Sequence, residues 1–110
     1  MPLEDFLTAD EHIRFSCPKP VEYQDERFGF FITTRRLIFH RSFGLFLKKD
    51  KIVSEDIDHI TEIKYEEKGV FSIRSLIQIK TDKNSVEFNG SPDVMKPIYL
   101  ELNSLLGKHS

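Results

Sequence analysis

Arg27 to Arg41 read RFGFFITTRRLIFHR, two dense apolar runs joined by the polar turn Thr33-Thr34-Arg35-Arg36. The alternation predicts a β-hairpin, to whose edges the remaining strands are added. Successive side chains of a strand face opposite sides, so Phe28, Phe30 and Ile32 point one way. Leu37 and Phe39 join that inward set from the return strand. Phe31 and Ile38 are left on the other face. A strand apolar on both faces needs cover on both, from a helix, the N-terminal segment or a partner chain. Gly29 has no side chain, which leaves room for a close backbone approach.

Upstream, Leu3–Leu7 reads as a single helical turn, too short to be stable alone. Thr8-Ala9-Asp10-Glu11 reads as a turn, and HIRFS, residues 12–16, as a short strand. Pro18 and Pro20 then break regular structure, because proline cannot donate to a strand ladder. VEYQ, residues 21–24, alternates again, and Asp25-Glu26 turns the chain into the central hairpin.

Downstream, residues 51–53 extend a strand and Ser54–Ile57 loop with Ile57 tucked inward. HITEIKYEE, residues 59–67, has no cleanly apolar face, which predicts a twisted, bulged or edge strand. FSIRSLIQIKT, residues 71–81, places Phe71, Ile73, Ser75, Ile77 and Ile79 on one face, and Val86 and Phe88 return after a turn. The period then changes. Val94, Met95, Ile98, Tyr99, Leu102, Leu105 and Leu106 recur at steps of three and four, the stripe of an amphipathic helix over residues 91–107. Ser91, Pro92 and Asp93 suit its N-terminus, and Gly107 followed by Lys108 suits its end. Pro97 predicts either a bend near the start or a helix that begins only after Lys96.

A chain of 110 residues is expected to form one domain, with residues 1–8 as an N-terminal segment. The order of about seven strands and one closing helix predicts an α+β fold, mainly β. Hydrophobic residues make up 39% and charged residues 31%, which favours a packed globule over disorder. No apolar run approaches the roughly 18–20 residues that span a bilayer. The acidic opening, MPLEDFLTADE, lacks the basic and apolar regions of a secretory signal, and Cys17 is single. The expected location is cytoplasmic.

Catalytic chemistry finds no support. His12, His40, His59 and His109 fall in different elements, without paired metal-ligand spacing. Cys17 sits beside Pro18 with no activating signature, and the five glycines form no phosphate loop. No catalytic residue, metal or cofactor is expected. The charge is distributed more informatively. Residues 1–26 hold seven acids against two bases, and residues 35–51 hold six bases against Asp50 alone. Those bases are Arg35, Arg36, Arg41, Lys48, Lys49 and Lys51. They serve either to meet an anionic surface or to keep a sheet edge from pairing. Phe43, Leu45, Phe46 and Leu47 interrupt them. Alternation alone would put Leu45 and Leu47 in the core and leave one Phe exposed. The other reading is an apolar hairpin tip in a basic collar. Nucleic-acid binding is disfavoured, because the net charge is −2 and there is no broad basic face.

Three short motifs carry a family resemblance. They are Ala9-Asp10-Glu11-His12-Ile13, then Phe31-Ile32-Thr33-Thr34-Arg35-Arg36-Leu37-Ile38-Phe39, and Asp56-Ile57-Asp58-His59-Ile60. Together with the closing helix they resemble prokaryotic pleckstrin-homology-like domains, which are also similar to GRAM domains. The resemblance spans about residues 9–106 and implies a bent barrel of about seven antiparallel strands with the helix plugging one end. It implies a binding module rather than an enzyme. Thr33 and Arg36 match the family's hairpin motif and read as hairpin structure. The chain departs from the phosphoinositide-binding pattern. Lys19 is followed by Arg27, but Gly29 replaces the second arginine, and Asp25 and Glu26 would repel an anion there. The first expectation is therefore a protein partner or self-association, through sheet edges and the surfaces of Phe31, Ile38, Phe43 and Phe46. The alternative is docking on an anionic membrane or ligand through residues 35–51.

Overall fold

The structure, a computed structural model, describes residues 3–109; the side chains of residues 4, 108 and 109 are outside that description. Lys108 and His109, expected above as a helix-end cation and a lone histidine, fall among those side chains.

Pro18 and Pro20 break the first strand into β1 (Ile13–Ser16) and β2 (Val21–Tyr23), both antiparallel to β3 (Glu26–Thr33). The Cys17 amide bonds Phe30 O at 2.9 Å within the break. β2 and β3 are joined by Gln24 and Asp25 at φ 53° and 63°, so the turn lies one residue earlier than expected. Two left-handed residues are what a tight I′ hairpin needs to match strand twist. β4 (Arg36–Phe43) and β5 (Lys49–Asp56) follow, then β6 (Ile60–Lys68), β7 (Arg74–Thr81), β8 (Ser85–Gly90) and the helix α1 (Pro92–His109). The strands form one antiparallel sheet in the order β5-β4-β3-β2-β8-β7-β6, with β1 on β3. The described residues hold eight strand segments, or seven if the broken first strand is counted once. β6 is an edge strand with an irregularity between Ile60 and Glu62, as its mixed pattern predicts.

The inward set of the central hairpin forms the middle of the core. Phe28, Phe30, Ile32, Leu37 and Phe39 are all fully buried, with Ile77, Ile79, Phe88, Met95, Ile98 and Leu102 packed into the same cluster. α1 lies on β6, β7 and β8 and buries its stripe there. It begins at Pro92, with the amides of Val94 and Met95 both on Ser91 O at 3.0 Å. It runs on through Pro97, whose ring is exposed, so the later start after Lys96 is not found. Gly107 lies inside the helix rather than beyond it.

Ile38 departs from the expected binding surface: it is fully buried. Its neighbours on the outer face of β4 are Arg36 and His40. Arg36 Nη2 donates to Phe6 O at 2.7 Å, and the His40 ring is 6.3 Å from that of Phe6. The 3-10 turn Leu3–Phe6 therefore lies across this face, and Leu3 is buried with it. Of the three covers considered, the chain supplies its own N-terminal segment. Phe31, beside Ile38 in register, is left half-buried.

β7 begins only at Arg74, so Phe71 and Ile73 are not core residues. They belong to a loop that starts at Gly69, φ +117°. The loop between β4 and β5 starts in the same way at Gly44, φ +109°. A Cβ at Gly44 would fall on the Leu47 carbonyl oxygen. Gly44→Ala is expected to lower stability by more than about 1 kcal/mol, because alanine is strained at positive φ and the backbone must also move. Urea unfolding of that variant checks this.

Candidate functional site

The β4–β5 hairpin ends in an apolar tip. Phe43↔Lys49 is its last ladder pair, and the positive φ of Gly44 then ends the extended backbone. Strand alternation stops there, so Leu45 and Leu47 are not returned to the core. Leu45, Phe46 and Leu47 are 91%, 96% and 78% exposed, and Phe43 is 41% exposed. Lys48 and Lys49 follow directly, both exposed and without an ion pair among the described residues.

Behind the tip, an open cleft of about 210 Å³ is lined by Glu26, Arg41, Phe43 and Lys51. Arg41 Nη1 and Lys51 Nζ each lie 3.2 Å from the Glu26 carboxylate. Hydrogen bonding from Lys51 and then the charges of Lys51 and Arg41 hold that carboxyl below its usual range. Arg41 also sits over the Phe43 ring at 5.6 Å, and Lys51 over Phe28 at 5.7 Å. Two cations share one acid, which leaves the cleft with an excess positive charge.

Arg35 and Arg36 do not belong to this group. β4 separates Arg36 from Phe43 by seven steps, about 23 Å at strand rise. The ten-residue surface expected from residues 31–51 is therefore split between opposite ends of the hairpin. At the far end, Arg35 pairs with Asp10. Arg36 forms a fork with buried Glu11, Nε to Oε2 at 2.9 Å and Nη2 to Oε1 at 3.1 Å. Thr33 Oγ1 donates to Glu11 Oε2 at 2.5 Å and the Thr8 amide to Oε1 at 3.1 Å. The amides of Arg35 and Arg36 in turn donate to Thr33 Oγ1. Burial alone would raise the Glu11 pKa; the hydrogen bonds from Arg36, Thr33 and Thr8, with the charge of Arg36, bring it to about 2. This is a lock on the fold, and it joins residues of two of the motifs that carried the resemblance.

His40 Nε2 and Ser42 Oγ both contact Asp50 Oδ1 at 2.8 Å. The hydroxyl bonds the carboxylate rather than the imidazole, so the trio does not align a base on an alcohol. His59 lies 3.9 Å from Asp56 and 4.0 Å from Asp82, at the opposite end of β5 from the tip. Burial pushes the Cys17 thiol up, away from the reactive thiolate.

A second cleft escaped the sequence reading. It has a volume of about 240 Å³ and brings Lys19, Arg27 and Arg74 together. Lys19 and Arg27 are the partial motif noted in the sequence. Arg74 comes from β7, which is far away in the chain but close in the sheet.

No protein-family model matches the sequence, and no curated protein matches it significantly. Among solved structures, the chain is similar to the crystal structure of a pleckstrin homology domain from Shewanella amazonensis SB2B. The TM-score is 0.65 at 17% identity, over 91% of this chain and 87% of that one. With its antiparallel strands, its broken first strand and its closing helix, the chain has the fold of a pleckstrin homology domain.

Proposed function

We propose that this chain is a non-enzymatic, cytoplasmic binding module that docks on anionic membrane surfaces through the β4–β5 tip. The observation that supports this most is the exposure of Leu45, Phe46 and Leu47 directly before two lysines that form no ion pair among the described residues. Three consecutive apolar side chains held in water gain by entering a lipid interface. Burial of Phe46 alone is worth about 1.5–3 kcal/mol. A Lys or Arg near an anionic leaflet adds about 1 kcal/mol. Arg41 and Lys51 stand behind the tip and extend the cationic face. Among the described residues no helix is long and apolar enough to cross a membrane. The contact would therefore be peripheral.

The self-association reading relied partly on an open Phe31/Ile38 face, and Ile38 is covered by the chain's own N-terminal turn. What remains of that reading is the sheet edges β5 and β6, the half-buried Phe31 and the same tip. Co-sedimentation with vesicles separates the two. Raising salt from about 0.1 M to about 1 M shortens the screening length from about 10 Å to about 3 Å. Binding to vesicles rich in anionic lipid is expected to fall several-fold over that range. Phe46→Asp is expected to weaken it at least tenfold with unfolding unchanged. Wild-type binding by the Phe46→Asp variant would contradict the proposal. So would a stable oligomer that dissociates in this variant, which would assign the tip to a protein contact.

A further inference from the structure

Among the described residues β5 pairs with β4 and with no strand on its other side, so it is an edge of the sheet. The β4–β5 ladder runs without a register shift from Arg36↔Asp56 to Phe43↔Lys49. One step beyond it, the Ile57 amide donates to Arg35 O at 2.9 Å. Bonded and unbonded positions alternate along an antiparallel pair. Counting back from Ile57, the odd-numbered residues Glu55, Val53, Lys51 and Lys49 bond β4. The even-numbered residues, Ile52 and Ser54 among them, turn their N–H and C=O away from it. The edge at β6 is less regular, with a register shift between Ile60 and Glu62.

Charge is divided along the β5 edge. Lys48, Lys49 and Lys51 precede Ile52, and Glu55, Asp56 and Asp58 follow it. Lys48, Lys49, Glu55 and Asp58 form no ion pair among the described residues. Lysines spread along an edge deter pairing, because two such edges repel. Here they fill one half only, so two copies laid antiparallel set each basic half against an acidic half.

Hydrogen-bond parity and charge together select one register. A residue whose backbone groups turn outward can bond only another that does the same, so even positions face even positions. With Ile52 opposite Ile52, Lys48 faces Asp56, Lys49 faces Glu55 and Asp50 faces Ser54, each twice by symmetry. No like charges meet. A shift of two residues one way sets Asp50 against Asp56, and the same shift the other way sets Lys51 against Lys51. Ile52, half-buried in the single chain, gains an apolar partner at the axis. The acidic half ends at an open cleft of about 310 Å³ lined by Thr34, Arg35, Asp56, Asp58 and His59. Arg35 is already paired there with Asp10, and this register brings Lys48 of the other copy to Asp56.

We propose that β5 is a self-recognition strand, through which two copies of this chain join edge to edge, antiparallel about Ile52, into a two-fold dimer. An interface in which the same patch meets itself closes on two copies. A contact of one strand on one strand is small, so the dimer is weak and reversible. Its charge pairs lie at the surface, so it is salt-sensitive. The proposal does not rest on the membrane-docking reading, and Phe46 lies beyond the ladder.

The test is sedimentation equilibrium of the full chain at concentrations up to about 1 mM, which reaches contacts with a Kd of that order. Wild type is expected to dimerise reversibly, and less so as salt rises. Two charge-reversed pairs are compared with it, Lys48→Glu with Lys49→Glu and Glu55→Lys with Asp56→Lys. Thermal unfolding checks that each keeps the fold. Each alone is expected to lose at least about tenfold in dimer affinity, because opposite charges across the strands become like charges. Their equimolar mixture is expected to recover dimerisation, since every altered half then faces its complement. The Ile52 amide is expected to exchange with solvent several-fold more slowly in the dimer than in the dilute monomer.

A wild-type chain that stays monomeric throughout that range overturns the proposal. So does a dimer that both reversed pairs leave intact, or a mixture as weak as its components. Ile52 exchange unchanged by dimerisation would place the contact elsewhere and overturn it too. A dimer that Phe46→Asp dissociates and the reversed pairs do not would assign the contact to the β4–β5 tip, against the proposal.

Discussion

Glu11→Ala is expected to destabilise the protein by about 3 kcal/mol or more at neutral pH, read from urea unfolding. Removing one member of a buried, hydrogen-bonded pair costs about 3–5 kcal/mol, mainly because the other charge is left uncompensated. Arg36 is mostly buried beside Glu11, so little water reaches it when the carboxylate is lost. The damage also spreads, since Glu11 receives Thr33 and the Thr8 amide as well as both guanidinium contacts. The effect has a defined pH dependence. The carboxyl falls from an ordinary 4.5 to about 2 on folding, so the folded state holds its proton less tightly than the unfolded one. The contribution is complete above pH 4.5 and is lost as pH falls through 2. A shift of this size corresponds to about 3 kcal/mol. The stability gap between wild type and Glu11→Ala should therefore narrow in acid and nearly close at the lower end of that range. A gap independent of pH would mean that Glu11 contributes by packing rather than by charge.

Phe39→Ala carries the other large effect, about 3–5 kcal/mol for a buried aromatic ring replaced by a cavity. Its ring is fully buried and lies 4.6 Å from Tyr23, 5.2 Å from Phe30 and 5.1 Å from Phe88, centroid to centroid. Phe28 meets it edge-on at 6.3 Å. These neighbours come from β2, β3 and β8, so the one ring ties both halves of the sheet together. Phe46→Ala removes the same side chain from the same protein and is expected to change stability by less than about 0.5 kcal/mol, as at other exposed sites. Equal losses at the two positions would contradict the division between core and tip.

That division is only partly legible in the sequence. The inward set from Phe28 to Phe39 follows from period-two alternation, a local property of extended backbone, and all five residues are fully buried. The same rule misplaces Leu45, Leu47, Phe71 and Ile73. Alternation says which face a residue takes while the ladder lasts; Gly44 and Gly69 end the ladder before these residues are reached. A Gly-aliphatic-Phe repeat at both places is the available signal. The Glu11–Thr33–Arg36 lock joins residues 22 and 25 positions apart, beyond any periodic pattern. Arg74 reaches Lys19 and Arg27 only because β8 brings β7 to β2. Ile38 reads as an exposed candidate because nothing in its own strand shows that the N-terminal turn folds over it.

Entry of the β4–β5 tip into a lipid interface is tested most directly by a polarity-sensitive dye on Leu47→Cys, with Cys17→Ser so that the label is unique. Phe46 stays in place. Adding vesicles rich in anionic lipid should shift the emission to the blue, and neutral vesicles should leave it unchanged. Protein that sediments with the anionic vesicles while the dye still reports water would contradict insertion of the tip.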